Sequence, residues 1–156
     1  MNRVAAILSP ARCLCQVPAG GKKRVFELVA DVLAPEQEEF HPTELVAGLL
    51  ARERLGSTAL GGGIAIPHCR LRDWQAPAGV LLSFSESLDF DAPDGRDIDL
   101  MCALVVPQEA SDEHLEILAT LARLFSDADL CATLRAARTS EALYNTAINW
   151  AERAAG

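Results

Sequence analysis

One stretch limits the architecture more than any other: the nearly continuous apolar run IDLMCALVV at residues 98–106. It begins directly after Asp97 and ends at Pro107. Such a run is typical of a central strand covered on both faces, because a strand with one wet face alternates polar and apolar residues. Periodicity alone allows a buried helix as well. In both cases the run predicts a core with other elements packed on two of its sides.

Two helices and one strand are predicted before this run. Residues 22–33 carry an apolar stripe at helical spacing, and Pro35 ends it. A second helix opens at residues 41–44, His-Pro-Thr-Glu, with the proline in its first turn, where a missing N–H costs little. Residues 80–84 are short and apolar like a strand, and residues 91–95 form a turn cluster ahead of the long run.

Three helices are predicted after the run. The first begins at residues 111–113, Ser-Asp-Glu, and its apolar side includes Leu115 and Leu118; the second is capped by Asp127, and the third covers residues 140–151. The order of helices, strands and helices predicts an α/β fold with a single layered domain over residues 1–156.

Charge and hydropathy exclude two classes of partner. The net charge of −8 argues against binding to nucleic acid, which needs clustered Lys and Arg. No uninterrupted apolar stretch is long enough to predict membrane insertion. The N-terminal MNRVAAILSPARCLCQ lacks the hydrophobic region and cleavage site of a signal peptide, which predicts a cytoplasmic protein.

The five cysteines are an odd number in a chain without a predicted signal peptide, and this indicates free thiols in a reducing compartment. Cys13 and Cys15 are two residues apart, but no second pair with zinc spacing follows them. Neither a metal site nor a cofactor is therefore predicted.

The stretch LGGGIAIPHCRL, residues 60–71, is the strongest candidate for a functional site. Gly61, Gly62 and Gly63 allow backbone conformations closed to other residues and leave room for an anion to meet N–H groups. Pro67 stiffens the chain directly before His68, a titratable ring among apolar neighbours. On local features, the glycines serve either a tight turn alone or a ligand that approaches the backbone beside His68.

Four other residues attract attention, and each has a plain structural explanation. His41 precedes a proline at a helix start and suits a capping or surface role. His114 near a helix start suits a surface position, and Arg52 with Glu53 suits an exposed pair at a helix end. None of these explanations accounts for the glycines that lead into Pro67 and His68.

A longer motif adds to this picture. Residues 52–68, from Arg52-Glu53 through Thr58 to Pro67-His68, closely resemble the active-site signature R-E-x4-T-G-I-G-x-G-[IV]-A-[IV]-P-H. This signature belongs to the fructose/mannitol-type IIA domains of the bacterial phosphoenolpyruvate-dependent phosphotransferase system. The resemblance covers nearly the whole chain and implies the family's mixed β-sheet flanked by helices. The freestanding length and the opening GKKRVFELVADVLA are most similar to the nitrogen-regulatory members.

The resemblance also implies roles for individual residues. His68 corresponds to the phosphorylated histidine and Arg52 to the active-site arginine; His114 fits the family's second histidine. His114 is then expected to donate a hydrogen bond to the phosphoryl group and to orient His68, and Arg52 to stabilise its charge. The remaining candidates are phosphate-pocket residues, for which we expect Thr58 and Gly61, Gly62 and Gly63, and supporting residues, for which we expect Glu53 and Pro67.

Two departures from the family's usual residues stand out. Ala59 stands where the family usually has glycine, and Gly62 where it frequently has asparagine. Either change can alter the shape of the loop. Neither removes the nucleophile or its charged partner.

The resemblance implies a phosphocarrier, a phosphotransferase component that accepts a phosphoryl group from an HPr-like carrier protein. In nitrogen-type members, phosphorylation sets the contacts with regulatory protein targets. One alternative is a sugar-transport IIA component that passes the phosphoryl group to a IIB domain. Another is a partner-binding module that is never phosphorylated. The sequence leaves the oligomeric state, a homodimer included, open.

Overall fold

The apolar run forms the central strand of a mixed sheet. In the computed structural model, which describes residues 3–110 and 112–155, this run is strand β6 (Ile98–Pro107) rather than a helix. The described residues form a six-stranded sheet in the order β1-β5-β6-β3-β2, with β4 also paired to β6. The other strands are β1 (Cys13–Val17), β2 (Ala59–Gly61), β3 (Ile64–Ala65), β4 (His68–Leu71) and β5 (Ala78–Leu88).

Helices cover both faces of β6, as the run predicts. Leu100, Cys102 and Leu104 belong to one hydrophobic cluster, while Met101 and Ala103 belong to the other. All five are fully buried. Successive side chains of a strand point to opposite faces, so an uninterrupted apolar run is what a strand between two helical layers needs.

The two helical layers differ in composition. One layer contains α2 (Lys22–Leu33) and α3 (Pro42–Leu55). The other contains α1 (Arg3–Ile7), α4 (Asp112–Phe125), α5 (Ala128–Ala136) and α6 (Ser140–Ala155). Short 3-10 turns lie at Pro10–Arg12 and Ala34–Glu36. None of the helices in the described ranges combines the length and apolar character needed to cross a bilayer.

Several predicted elements are confirmed. Helix α2 has the predicted bounds, α3 begins at Pro42, and the side chain of Asp127 accepts a hydrogen bond from the amide of Leu130 at the start of α5. Strand β5 and helix α6 are longer than the predicted 80–84 and 140–151. Ser111, predicted to open a helix, lies outside the described residues.

Strands β1 to β4 and helix α1 were not predicted, and one helix face was predicted only in part. Strand β1 pairs in parallel with β5, a partner more than sixty residues away in the sequence, so its short run gives little local signal. On α4, Leu121 and Phe125 lie on the buried side, but in the first turn Leu115 is 65 % exposed and His114 is buried instead. Both differences arise because tertiary pairing overrides the local pattern.

The three glycines form the tight turn between β2 and β3. Gly61, Gly62 and Gly63 all have positive φ, between 66° and 93°, a region that favours glycine. The guanidinium of Arg135 donates to the carbonyl of Gly62 at 2.6 Å and pairs with Asp99. The carbonyl of Gly63 accepts from the amides of Asp99 and Leu100. These bonds hold the turn against β6.

Strand β3 and strand β4 lie on the same edge of β6. Both run parallel to it, with Ile64 opposite Leu100 and His68 opposite Leu104. Pro67 has no N–H for the ladder, but its carbonyl accepts from the amide of Leu104 at 2.9 Å. The edge therefore continues through the proline, and His68 is the first residue of β4.

We predict that Gly63→Ala destabilises the protein far more than Gly95→Ala. Both glycines have positive φ, at 82° and 74°, which costs about 1–2 kcal/mol for alanine. A Cβ at Gly95 would meet nothing within 4 Å, whereas one at Gly63 would lie 2.9 Å from the Asp99 carboxylate and 3.4 Å from the Asp97 carbonyl. The extra crowding should bring the cost at Gly63 to about 3 kcal/mol. Urea unfolding measures both, and equal losses would contradict the prediction.

Candidate functional site

His68 is held by the chain directly before it. Its Nδ1 lies 2.8 Å from the carbonyl oxygen of Ile66. A carbonyl only accepts hydrogen bonds, so we assign the proton of the neutral ring to Nδ1. The lone pair is then on Nε2, which makes no hydrogen bond to any described residue. His68 itself is half-buried.

His114 lies against His68 from the first turn of α4. The two ring centroids are 5.5 Å apart, with an angle of 68° between the ring planes. His114 is only 8 % exposed, and neither of its ring nitrogens has a hydrogen-bond partner among the described residues. Buried polar groups without partners are rare in folded proteins. This histidine therefore has an unused donor and acceptor beside the His68 ring.

Both rings are held in the neutral form. Burial lowers the pKa of His68 below its ordinary value, and the charge of Arg52 acts in the same direction. The hydrogen bond to Ile66 and the charge of Glu53 oppose this lowering but do not cancel it. Burial also lowers the pKa of His114, assisted by His68 and by the charge of Arg70. At pH 7 the site therefore offers a neutral nucleophile and a neutral donor.

Arg52 brings a permanent positive charge to the two histidines. It lies in the last turn of α3, is half-buried and donates through Nη1 to the carbonyl of Gly56 at 2.8 Å. Its effect on the pKa of His68 means that its charge reaches that ring. Arg52 is thus not the exposed helix-end residue of the plain structural explanation. A guanidinium here suits an anion bound at His68.

Glu53 and Thr58 are hydrogen-bonded to each other in the protein interior. Both are buried; the Thr58 hydroxyl donates to one Glu53 oxygen, and the Thr58 amide lies 3.4 Å from the other. The Nζ of Lys22 lies 3.9 Å from Glu53. These contacts fit the predicted supporting role of Glu53. Thr58 donates its hydroxyl proton to Glu53, so the predicted hydroxyl contact to a phosphate stays a prediction that requires this hydrogen bond to be exchanged.

Thr58 is connected to His68 through the backbone. Its carbonyl accepts from the amide of Ile66 at 3.1 Å, and the carbonyl of Ile66 accepts from His68. Three successive hydrogen bonds therefore connect the buried Glu53 carboxylate with Nδ1 of His68, the nitrogen that carries the ring proton.

The glycine triplet lies away from His68, so its phosphate-pocket role stays a prediction that this placement does not favour. On β6, the partner of Ile64 is four residues from the partner of His68, which corresponds to about 13 Å along a strand. Gly63 lies beyond Ile64 on the side away from His68. The amide of Gly62 already donates to Asp94. Gly61, Gly62 and Gly63 shape the turn, whereas Pro67 adjoins the histidine.

One charged residue of this site was not predicted. Arg70 is two residues after His68 on β4, and alternate residues of a strand share a face. Its charge lowers the pKa of His114. The alternation from His68 was the available signal, but the short β4 was not recognised as a strand.

The third histidine lies elsewhere, and the one cysteine next to the site in the chain, Cys69, is buried in the opposite core cluster. His41 is exposed at the start of α3, and its side chain makes no capping hydrogen bond to a described residue. All five cysteines lie in the described ranges and are free. Burial raises the pKa of Cys13, Cys69 and Cys102 to about 12, so these thiols are inert near neutral pH. No group of three potential metal ligands occurs within residues 3–110 and 112–155.

Comparison with known proteins gives consistent matches. The family model described as "Phosphoenolpyruvate-dependent sugar phosphotransferase system, EIIA 2" matches residues 7–149. A protein named "Nitrogen regulatory protein" from Pseudomonas aeruginosa is 46% identical over 149 residues, which cover 96% of this chain and 97% of that protein.

Two solved structures share the fold. The nitrogen regulatory protein IIA-Ntr from Neisseria meningitidis superposes with a TM-score of 0.86 at 35% identity, covering 92% of this chain and 98% of that one. The mannitol IIA protein from Escherichia coli has a TM-score of 0.74 at 20% identity, covering 90% and 98%. The second match supports the fold alone.

The lowered pKa values of His68 and His114 predict that the folded protein loses stability in mild acid. Between these values and the ordinary histidine pKa of about 6.5, the unfolded chain binds more protons than the folded one. The stabilising contribution is therefore complete above about pH 6.5 and is lost as the pH falls towards the pKa values of the folded state. Urea unfolding from about pH 7.5 to about pH 5.5, where most carboxylates stay ionised, measures this loss.

The matched control is a double variant, His68→Gln with His114→Gln. Neither glutamine titrates in this range, so the variant should lose less stability between the two pH values. An equal loss in the variant and in the original chain would show that other groups cause the pH dependence.

Proposed function

Since the chain belongs to the EIIA 2 family of the phosphoenolpyruvate-dependent sugar phosphotransferase system, we propose that it is a phosphocarrier that holds a phosphoryl group on His68. The donor is an HPr-like phosphohistidine carrier protein. The observation that carries the proposal is the pair of rings: His68 is tethered through Nδ1 with Nε2 unused, and it faces a buried histidine without a partner.

The chemistry follows from the tautomer of His68. The lone pair on Nε2 attacks the phosphorus, a new P–N bond forms and the P–N bond of the donor breaks. The donor ring, protonated on its other nitrogen, leaves as neutral imidazole. The His68 ring takes up the corresponding positive charge and keeps its Nδ1 proton, so the hydrogen bond to the Ile66 carbonyl strengthens as the reaction proceeds. No external proton is needed.

The neighbouring residues stabilise charge rather than make bonds. Phosphoryl transfer has a loose transition state, in which the protein mainly positions groups and balances charge. Arg52 presents a planar guanidinium to the phosphoryl oxygens. Neutral His114 donates one ring N–H to the same group, which gives its buried nitrogen a partner. Glu53 acts indirectly, through Thr58 and Ile66.

We propose a regulatory role because the similar protein from Pseudomonas aeruginosa is named as a nitrogen regulatory protein. Phosphorylation adds about −1.5 to −2 charges to the side chain that accepts it. Leu55 is 85% exposed in the last turn of α3, the turn that carries Arg52, and Leu115, the residue after His114, is 65% exposed. An apolar rim of this kind suits a protein partner that senses whether the charge is present.

The direct test is phosphorylation of the purified chain. Incubation with labelled phosphoenolpyruvate, enzyme I and the carrier protein should label the chain with an acid-labile phosphate. His68→Ala should abolish the label, whereas His41→Ala, which changes an exposed histidine remote from the site, should retain it. A chain that stays unlabelled, or a His68→Ala variant that is still labelled, would refute the proposal. Rapid discharge to a IIB protein and a sugar would favour the transport function.

Arg52→Gln should slow phosphorylation about a hundredfold, the usual cost of removing one donor that stabilises developing charge. Its charge and its forked donors are lost, while its single contact to the Gly56 carbonyl contributes little to the fold. The matched control is Arg54→Gln, an exposed arginine two residues further along α3. Rates from single-turnover labelling decide the question; equal slowing in both variants would indicate a general charge effect instead.

A further inference from the structure

Arg70 lies on the same face of the sheet edge as His68. The two residues alternate along β4, with Cys69 between them buried in the opposite core cluster. Their Cα atoms are thus about 7 Å apart, and both side chains extend towards α4. An arginine side chain can span this separation, so its guanidinium can reach a group attached to Nε2 of His68.

The guanidinium of Arg70 has N–H donors that make no hydrogen bond to a described residue. Its side chain is exposed, and Nη1 donates to the carbonyl of Gln108 at 3.0 Å, a neutral acceptor. In the described parts of the chain no carboxylate lies within ion-pair distance of it, in contrast to Arg72, which pairs with Glu44 at 3.1 Å. An arginine has five N–H donors, so most of those on Arg70 are unused.

Arg70 and Arg52 act on the pair of histidines from two different secondary-structure elements. Arg52 comes from α3 and lowers the pKa of His68; Arg70 comes from β4 and lowers the pKa of His114. Each guanidinium thus lies close to one of two rings whose centroids are 5.5 Å apart. A phosphoryl group between the rings would lie between two positive charges.

We propose that Arg70 is a second phosphate-binding residue of this site, which contacts the phosphoryl group on His68 from the side of His114. This inference rests on the proposed phosphorylation of His68. The phosphorylated ring keeps its Nδ1 proton and a positive charge, but the three phosphoryl oxygens still offer more acceptor positions than Arg52 and His114 fill. Arg70 reaches the remaining positions with donors that the unphosphorylated protein leaves unused.

The test compares Arg70→Gln, Arg70→Lys and the control Arg72→Gln in the full chain. Each protein is phosphorylated with enzyme I and the carrier, separated from them and titrated by ³¹P NMR. Arg70→Gln should raise the pKa of the second phosphoryl ionisation by about half a unit to one unit, because a nearby cation favours the dianion. Arg70→Lys should restore part of the shift, since it keeps a point charge without the fork. Arg72→Gln should match the original chain.

A second measurement separates phosphate contact from docking of the carrier. The equilibrium constant for phosphoryl exchange with the carrier involves only the separated proteins, so docking affinity cancels from it. Arg70→Gln should shift this equilibrium towards the phosphorylated carrier by about three- to tenfold, the counterpart of the pKa change. Arg72→Gln should leave it unchanged.

The outcomes distinguish the two proposals. If the original chain forms no phosphohistidine, both fail. If it does, but Arg70→Gln has the phosphoryl pKa and the exchange equilibrium of the original chain, Arg70 does not contact the phosphoryl group. A slower reaction with both of these quantities unchanged would assign Arg70 to carrier docking and would equally overturn the inference.

Discussion

The site depends on one constraint, the continuous pairing of a sheet edge across Pro67. Proline cannot donate to the ladder, yet its carbonyl accepts from Leu104, so β3 and β4 follow the same strand of the central sheet. Because the edge stays in register, the carbonyl of Ile66 is fixed relative to the ring of His68, two residues later. The 2.8 Å hydrogen bond between them sets the tautomer. The backbone thus determines which nitrogen is available for chemistry.

Positive charges act on the site, although the net charge of the whole chain is negative. The protein has a net charge of −8, but burial lowers the pKa of both histidines, and the positive charges of Arg52 and Arg70 act in the same direction. At His68 the hydrogen bond to Ile66 and the charge of Glu53 oppose this lowering. Leaving the ring nitrogens of His114 buried without partners costs stability. Local rules of folding are commonly broken at functional sites, and a bound anion would supply the missing acceptor.

The sequence predicted those parts of the fold that have local causes. Helix α2 and the Asp127 cap follow from periodicity and capping chemistry, and β6 from its apolar run. Strand β1 was missed because its partner is distant in the sequence. Likewise, the nearness of Arg52 to His68 was expected only from the family motif, since spacing alone does not bring the end of a helix to the start of a strand. His114 was predicted to lie at the surface because it follows the acidic residues Asp112 and Glu113. These two residues are exposed, and so is Leu115, but His114 between them is buried.

The same geometry favours an electrostatic switch over a conformational one. His68 is tied to the backbone through Ile66, and that segment is tied to the buried Glu53 through Thr58. The proposed phosphoryl group on Nε2 would extend away from these bonds and leave them intact. Its charge would then act on groups with unused donors, which are His114 and the guanidiniums of Arg52 and Arg70. The added charge would then change the binding of a partner directly at this surface, without any rearrangement of the sheet.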